Sequence, residues 1–75
     1  MTDPLTMIEV FQTNVEREFQ ASIMIAFLLQ QFPGCRINFD LSDCDRILRI
    51  EGREVCPIRV VDLMRAKGFE CAALE

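Results

Sequence analysis

The sequence predicts an α+β domain in which strands and helices follow one another in the order β-α-β-β-α-β. Strand-like and helix-like hydrophobic patterns succeed each other in that order along 75 residues, with turn residues between them. The composition, 51% hydrophobic and 27% charged, is ordinary for a chain that builds a core. We therefore expect one domain over residues 1–75, since a chain of this length folds around a single core.

The first strand is predicted over residues 5–15. Apolar side chains occupy both sides of its alternating pattern, which is typical of a central strand. Thr13 and Asn14 break the pattern, and either side chain can accept hydrogen bonds from the first amides of a helix. The sequence therefore predicts that a helix is entered here.

The first helix is predicted over residues 16–32, and Pro33-Gly34 ends it. Spacings of three and four residues define a stripe expected to face the core: Ser22, Ile25, Leu29 and Phe32. A second apolar stripe lies well away from the first and consists of Phe19, Ile23 and Phe27, with Met24 beside it. A helix on an open sheet needs one apolar face, and this helix has nearly two.

A hairpin follows, with strands predicted over residues 35–41 and 46–51 around a turn rich in Ser and Asp. Pro57 suits the first position of a second helix, which we expect over residues 57–67. A last strand is predicted over residues 69–74. These elements predict a ferredoxin-like sandwich, in which two helices cover one face of a four-stranded antiparallel sheet.

Charge and composition argue against several classes of function. The net charge of −4 and the pI near 4.7 disfavour nucleic acid and anionic membrane surfaces as partners. The longest apolar run, residues 21–29 broken only by Ser22, is far shorter than the roughly 20 residues that span a bilayer. The first residues lack the basic segment of a secretory signal, so we expect a cytoplasmic protein with reduced cysteines.

Catalysis is also disfavoured. The chain has no His, so a Cys or Ser nucleophile lacks its usual base. There is no Gly-rich phosphate-binding loop, because the three glycines all fall at the ends of elements. We expect no enzyme activity and no cofactor.

Three segments carry a family resemblance. Residues 29–34 read Leu-Gln-Gln-Phe-Pro-Gly, residues 37–41 read Ile-Asn-Phe-Asp-Leu, and residues 60–69 end in Ala-Lys-Gly-Phe. With these segments the chain resembles the heavy-metal-associated domain family of copper chaperones and metal-transporting ATPases. The resemblance covers nearly the whole chain and implies the ferredoxin-like fold.

The family's metal-binding motif, Met-x-Cys-x-x-Cys between the first strand and the first helix, is missing. Counting back from Pro33 places its two cysteines near Arg17 and Gln20, and no cysteine precedes Cys35. Soft metal ions such as Cu(I) select thiolate ligands, so this departure removes the family's means of holding them. The resemblance therefore implies an inherited scaffold that is used for protein contacts or regulation, with metal binding disfavoured.

The four cysteines stand singly, with no Cys-x-x-Cys pair. On the predicted topology Cys44 and Cys71 share the end of the sheet where the motif would lie, and Cys35 and Cys56 share the opposite end. A metal-handling protein with a rebuilt site at Cys44, Cys71 and nearby carboxylates is the alternative function. We expect the cysteines to act instead as small, mostly buried hydrophobes.

The hairpin also carries three acidic residues, Asp40, Asp43 and Asp45. Their spacing does not match a calcium-binding loop, so we expect them to be solvated.

The second stripe of the first helix is the candidate partner-binding surface, carried by Phe19, Ile23 and Phe27. The competing interpretation is that these side chains wrap the flanks of the helix or pack against the N-terminal segment. An exposed apolar patch favours a protein partner or self-association. The edge strands of the sheet offer a second route, by strand pairing.

A small-molecule sensor of the ACT type, which shares the topology, is the third function considered. Its ligand loop usually carries glycines, and Thr13-Asn14-Val15 has none.

Overall fold

A computed structural model describes residues 6–74 and contains the six predicted elements in the predicted order. The strands are β1 (Met7–Thr13), β2 (Arg36–Asp40), β3 (Ile47–Gly52) and β4 (Cys71–Leu74), and the helices are α1 (Glu18–Gln31) and α2 (Pro57–Ala66). Most elements are a residue or more shorter than predicted at one end or both. The predicted start of the first strand, at residue 5, lies outside the described residues.

The four strands form one antiparallel sheet in the order β2-β3-β1-β4. This strand order, with the two helices between strands, confirms the predicted ferredoxin-like α+β fold. β1 pairs with β3 on one side and β4 on the other, so it is the central strand that its apolar pattern indicates. Phe11 of β1 is opposite Leu48 of β3, and Thr13 is opposite Cys71 of β4.

The core lies between the helices and one face of the sheet. Its fully buried large side chains are Phe11, Val15, Met24, Leu28, Leu48, Ile50, Val60 and Met64. Burying one such aliphatic side chain stabilises the folded state by about 1.5–3 kcal/mol. This core holds both helices on the sheet and leaves their outer faces, and the other face of the sheet, toward solvent.

The predicted core stripe of α1 is wrong for Ser22 and Leu29, which are exposed, whereas Ile25 is half-buried and Phe32 is buried. The residues that face the core are Ala21, Met24 and Leu28, whereas Leu29 is 40% exposed. Met24, expected beside the outer stripe, is only 1% exposed. The reason is that α1 is apolar around almost its whole circumference, so the period of its hydrophobic residues does not indicate which side faces the sheet.

The entry to α1 also differs from the prediction. Thr13 ends β1, and its hydroxyl donates a 2.6 Å hydrogen bond to the carbonyl of Arg46 instead of capping the helix. Asn14 accepts a hydrogen bond from the backbone amide of Glu70 at 2.8 Å. α1 therefore begins only at Glu18. Gln20 Oε1 in its first turn accepts a hydrogen bond from the backbone amide of Arg17 at 3.2 Å.

Candidate interaction surface

The solvent-facing side of α1 is the most apolar exposed surface of any helix in the described chain. This outer face of α1 consists of residues that are all exposed: Phe19, Ser22, Ile23, Ala26, Leu29 and Gln30. Phe19 is 64% exposed and Ile23 is 62% exposed, which is far from the burial expected of residues that wrap a helix flank. Contiguous apolar surface of this kind marks interaction sites in folded proteins.

The outer face carries no charge. Glu18 is the only ionisable residue of α1, and the helix is uncharged from Phe19 to its end at Gln31. α2 follows the usual pattern instead, because its exposed residues include Arg59, Asp62 and Arg65. α1 therefore lacks the solvating charges that an ordinary surface helix carries.

Phe27 lies at the edge of the outer face. Its side chain is half-buried and packs against the core. The ammonium group of Lys67 lies 4.5 Å from the centroid of its ring. The structure therefore separates the three predicted partner residues: Phe19 and Ile23 stand open to solvent, while Phe27 is covered from within the chain. Packing of this stripe against the N-terminal segment involves residues 1–5, which lie outside the described part.

The two ends of the outer face differ in charge. Glu16 and Glu18 are exposed at the N-terminal end. At the C-terminal end, the Arg59 guanidinium of α2 donates a hydrogen bond to Gln31 Oε1 at 3.0 Å, and its Cζ lies 5.3 Å from the centroid of the Phe32 ring. An uncharged apolar centre is thus flanked by an acidic end and a basic end.

The open face of the sheet is a weaker candidate. Ile8 is 58% exposed there, but it is opposite Glu51 of β3 and shares a shallow depression with Arg36 and Arg49. Charged side chains therefore interrupt the apolar surface of this face. The edge strands β2 and β4 keep the strand-pairing route open.

The predicted alternative site at Cys44 and Cys71 is not assembled as a pair of exposed thiols. Both residues lie at the same end of the sheet. Thr13 is opposite Cys71, and the amide of Thr13 donates a 3.0 Å hydrogen bond to the carbonyl of Asp45, which follows Cys44 in the chain. However, β1 stands between β3 and β4, and Cys71 is 3% exposed whereas Cys44 is exposed. Burial raises the pKa of the Cys71 thiol to about 11, against a smaller lowering by Arg65, so this group resists becoming a thiolate.

Part of the predicted alternative site does assemble in the hairpin turn, where Cys44 lies beside two carboxylates but without Cys71. The ligand atoms of Asp43, Cys44 and Asp45 lie within 4.8 Å of one another. Both carboxylates already accept hydrogen bonds from within the chain. Asp43 Oδ1 accepts one from the backbone amide of Asp45 at 2.8 Å, and Asp45 Oδ1 accepts one from Gln12 Nε2 of β1 at 3.3 Å. The third predicted hairpin carboxylate, Asp40, is outside the cluster. Hydrogen bonds from Ser42 lower its pKa.

The expectation of mostly buried cysteines is wrong for two of the four. Cys44 and Cys56 are exposed, because one lies in the hairpin turn and the other precedes the first turn of α2. Cys35 is half-buried, and desolvation raises its pKa. Cys35 and Cys56 line one cleft of about 530 Å³ at the opposite end of the sheet from Cys44, as predicted.

A second cleft, of about 630 Å³, lies between the end of α2 and the start of β4. Arg65, Glu70 and the buried Cys71 are among its lining residues. A cleft of this size could hold the small metabolite that a sensor function requires, although no glycine lies between β1 and α1 to bind one.

The residues near which the resemblance would place a metal motif make polar contacts with the start of α1. Arg17 directly precedes α1, and Gln20 in its first turn accepts hydrogen bonds from the backbone amides of Glu16 and Arg17 at 3.4 and 3.2 Å. These bonds satisfy amides at the helix N-terminus, which otherwise have no partner within the helix. The two side chains at these positions have no soft donor atom for a metal ion.

Comparisons with protein-family models, with curated proteins and with solved structures find no match for this chain. The resemblance to heavy-metal-associated domains therefore stays a prediction from the sequence. Within residues 6–74, neither helix has the length and apolar character needed to cross a membrane.

Proposed function

We propose that this chain is a small non-catalytic domain on a scaffold like that of heavy-metal-associated proteins, and that it works as a protein-interaction or regulatory module in the cytoplasm. The observation that carries the proposal is the uncharged outer face of α1, with Phe19 and Ile23 more than half exposed. Exposing these side chains to water is unfavourable by about 25 cal/mol per Å² of apolar surface. A partner that covers them recovers that free energy.

The contrast between the two helices supports the proposal. Both lie on the same sheet, yet only α2 presents the charged outer face that keeps a surface helix in solution. Ile58 of α2 is even more exposed, at 74%, but Arg59 and Asp62 stand near it in the sequence. Single exposed apolar residues are ordinary, whereas a whole uncharged face is not.

The side chains at the candidate metal positions also agree with an interaction role. The resemblance would place the family's metal ligands near Arg17 and Gln20, and the hydrogen bond between these two residues stabilises the start of α1. A metal-handling role would depend instead on Asp43, Cys44 and Asp45, whose two carboxylates already accept hydrogen bonds from within the chain. We therefore rank contacts through α1 above metal transfer, and metal transfer above a sensor function.

The test is site-specific photo-crosslinking in cells that carry the chain. A photoreactive amino acid replaces Ile23 in one variant and Ile58 in a matched control of similar exposure. We expect a discrete crosslinked species from position 23 that position 58 does not give. The crosslinked protein, once purified, should bind the unmodified chain. Its affinity for the Ile23→Glu variant should be at least about tenfold lower, as expected for a central interface residue. Equal labelling from both positions, or none, would refute the proposal.

A further inference from the structure

The outer face of α1 is suited to one occupant in particular. We propose that it pairs with α1 of a second copy of this chain, the two helices running antiparallel about a two-fold axis. This inference rests on the proposed function and names the partner. A two-fold interface uses the same patch on both subunits, so the patch must be complementary to itself.

The sizes of the side chains meet that requirement. Ser22 and Ala26 form a shallow strip along the outer face, with the large side chains of Phe19 and Ile23 beside it. When two such helices run antiparallel with the axis near the middle of the helix, Ile23 of each copy meets Ala26 of the other. Phe19 of each then meets Gln30 of the other. A large residue facing a small one, as Ile23 faces Ala26, lets the two helices approach closely near the axis.

The charges at the ends select the antiparallel direction. The exposed Glu18 at the start of one helix is brought toward the end of the other, where Arg59 is held against Gln31 at 3.0 Å. A guanidinium has five donors, so this bond leaves Arg59 able to bind a carboxylate. A parallel pair would instead place Glu16 and Glu18 of both copies side by side. The helix dipoles add to the same preference, since each N-terminus lies near the other's C-terminus.

The uncharged centre explains how a chain of net charge −4 can associate with itself. The only acidic residue of α1, Glu18, lies at its N-terminal end, so no like charges meet across the middle of the pair. A helix of 14 residues is about 21 Å long at about 1.5 Å per residue, so the contact is at the small end of specific interfaces. We therefore expect a dimer that depends on concentration.

The experiment is sedimentation equilibrium of the reduced chain at several concentrations and low salt. We expect the average mass to rise from one copy toward two. Ile23→Glu should weaken the association at least about tenfold. The control Ile58→Glu, on the exposed face of α2, should associate like the unmodified chain. Circular dichroism of each variant shows that it remains folded.

A charge exchange tests the direction of the helices. We expect Glu18→Arg and Arg59→Glu to weaken the dimer singly, and the double variant to recover most of the loss. Raised salt should reduce the difference between the single variants and the unmodified chain. Dimer association of unchanged strength in both single variants would refute the antiparallel pair.

The failure of this inference is distinguishable from failure of the proposed function. A mass of one copy at every concentration, or equal weakening by Ile23→Glu and Ile58→Glu, overturns self-association through α1. If position 23 nevertheless crosslinks to a different protein, the interaction function stands with another partner. If position 23 crosslinks to nothing, both fail.

Discussion

Lys67 and Phe27 form a contact that determines the extent of the exposed surface. The Lys67 ammonium lies 4.5 Å from the centroid of the Phe27 ring and joins the end of α2 to the flank of α1. A cation over an aromatic face is attracted by the ring's quadrupole. The contact covers one of the three aromatic and aliphatic residues of the predicted stripe and leaves Phe19 and Ile23 open.

Removing this cation should destabilise the fold modestly. We expect Lys67→Met, which keeps most of the apolar stem, to lower the free energy of unfolding by about 0.5–1 kcal/mol. Lys67→Arg should retain most of the stability, since a guanidinium also stacks on a ring. Urea denaturation of the three proteins checks this. A Lys67→Met variant as stable as Lys67→Arg would show that the contact contributes nothing.

Adjacent residues of α1 should respond very differently to truncation. Met24 is 1% exposed and Ile23 is 62% exposed. We expect Met24→Ala to cost about 2–5 kcal/mol, because it leaves a cavity in the core. Ile23→Ala should stay within about 0.5 kcal/mol, as surface substitutions usually do.

Chemical denaturation at a concentration low enough to keep the chain monomeric compares the two. Similar losses would mean that the helix is turned differently on the sheet. If Ile23→Ala lowers the free energy of unfolding more at high protein concentration than at low, the extra loss reflects the proposed dimer.

The four thiols should react with iodoacetamide in an order set by exposure. Cys44 and Cys56 are exposed and should be modified first, then the half-buried Cys35, while Cys71 should react only when the domain opens. Mass spectrometry of the reduced chain over time measures the order. Early modification of Cys71 would contradict its burial beneath α2.

Cys71 also gives stability a pH dependence. Its pKa is raised from 9.0 to about 11 in the folded state, so the folded chain holds this proton more tightly than the unfolded chain. The contribution is complete below about pH 9 and is lost as the pH rises toward 11. We expect Cys71→Ala to have a flatter decline in stability over this range. The same decline in both proteins would show that other groups cause it.

Metal binding should be weak. We expect anaerobic titration of the reduced chain with Cu(I) and Zn²⁺, against a competing chelator, to show no stoichiometric binding tighter than micromolar. Any weak binding should be lost in Cys44→Ser and kept in Cys71→Ser, because only Cys44 lies beside the carboxylates of Asp43 and Asp45. Tight binding abolished by Cys71→Ser would require the two thiols to meet and would restore the metal-handling alternative.

The type and order of the six elements could be predicted from the amino-acid sequence alone. Local signals suffice for this: alternating residues mark β2, Pro33-Gly34 ends α1, and Pro57 begins α2. Each depends on backbone geometry within a few residues of the chain. The central place of β1 also followed, because a strand that is apolar on both sides is typical of the middle of a sheet.

The side of α1 that faces the core could not be predicted from the sequence and depends on packing against the sheet. With apolar side chains around the helix, several orientations bury similar amounts of surface, so periodicity did not separate Met24 from Ile23. Packing against Phe11, Leu48 and Ile50 of the sheet selected Ala21, Met24 and Leu28. The outer face of α1 is therefore a product of packing between distant parts of the chain, as are the burial of Cys71 and the contact of Lys67 with Phe27.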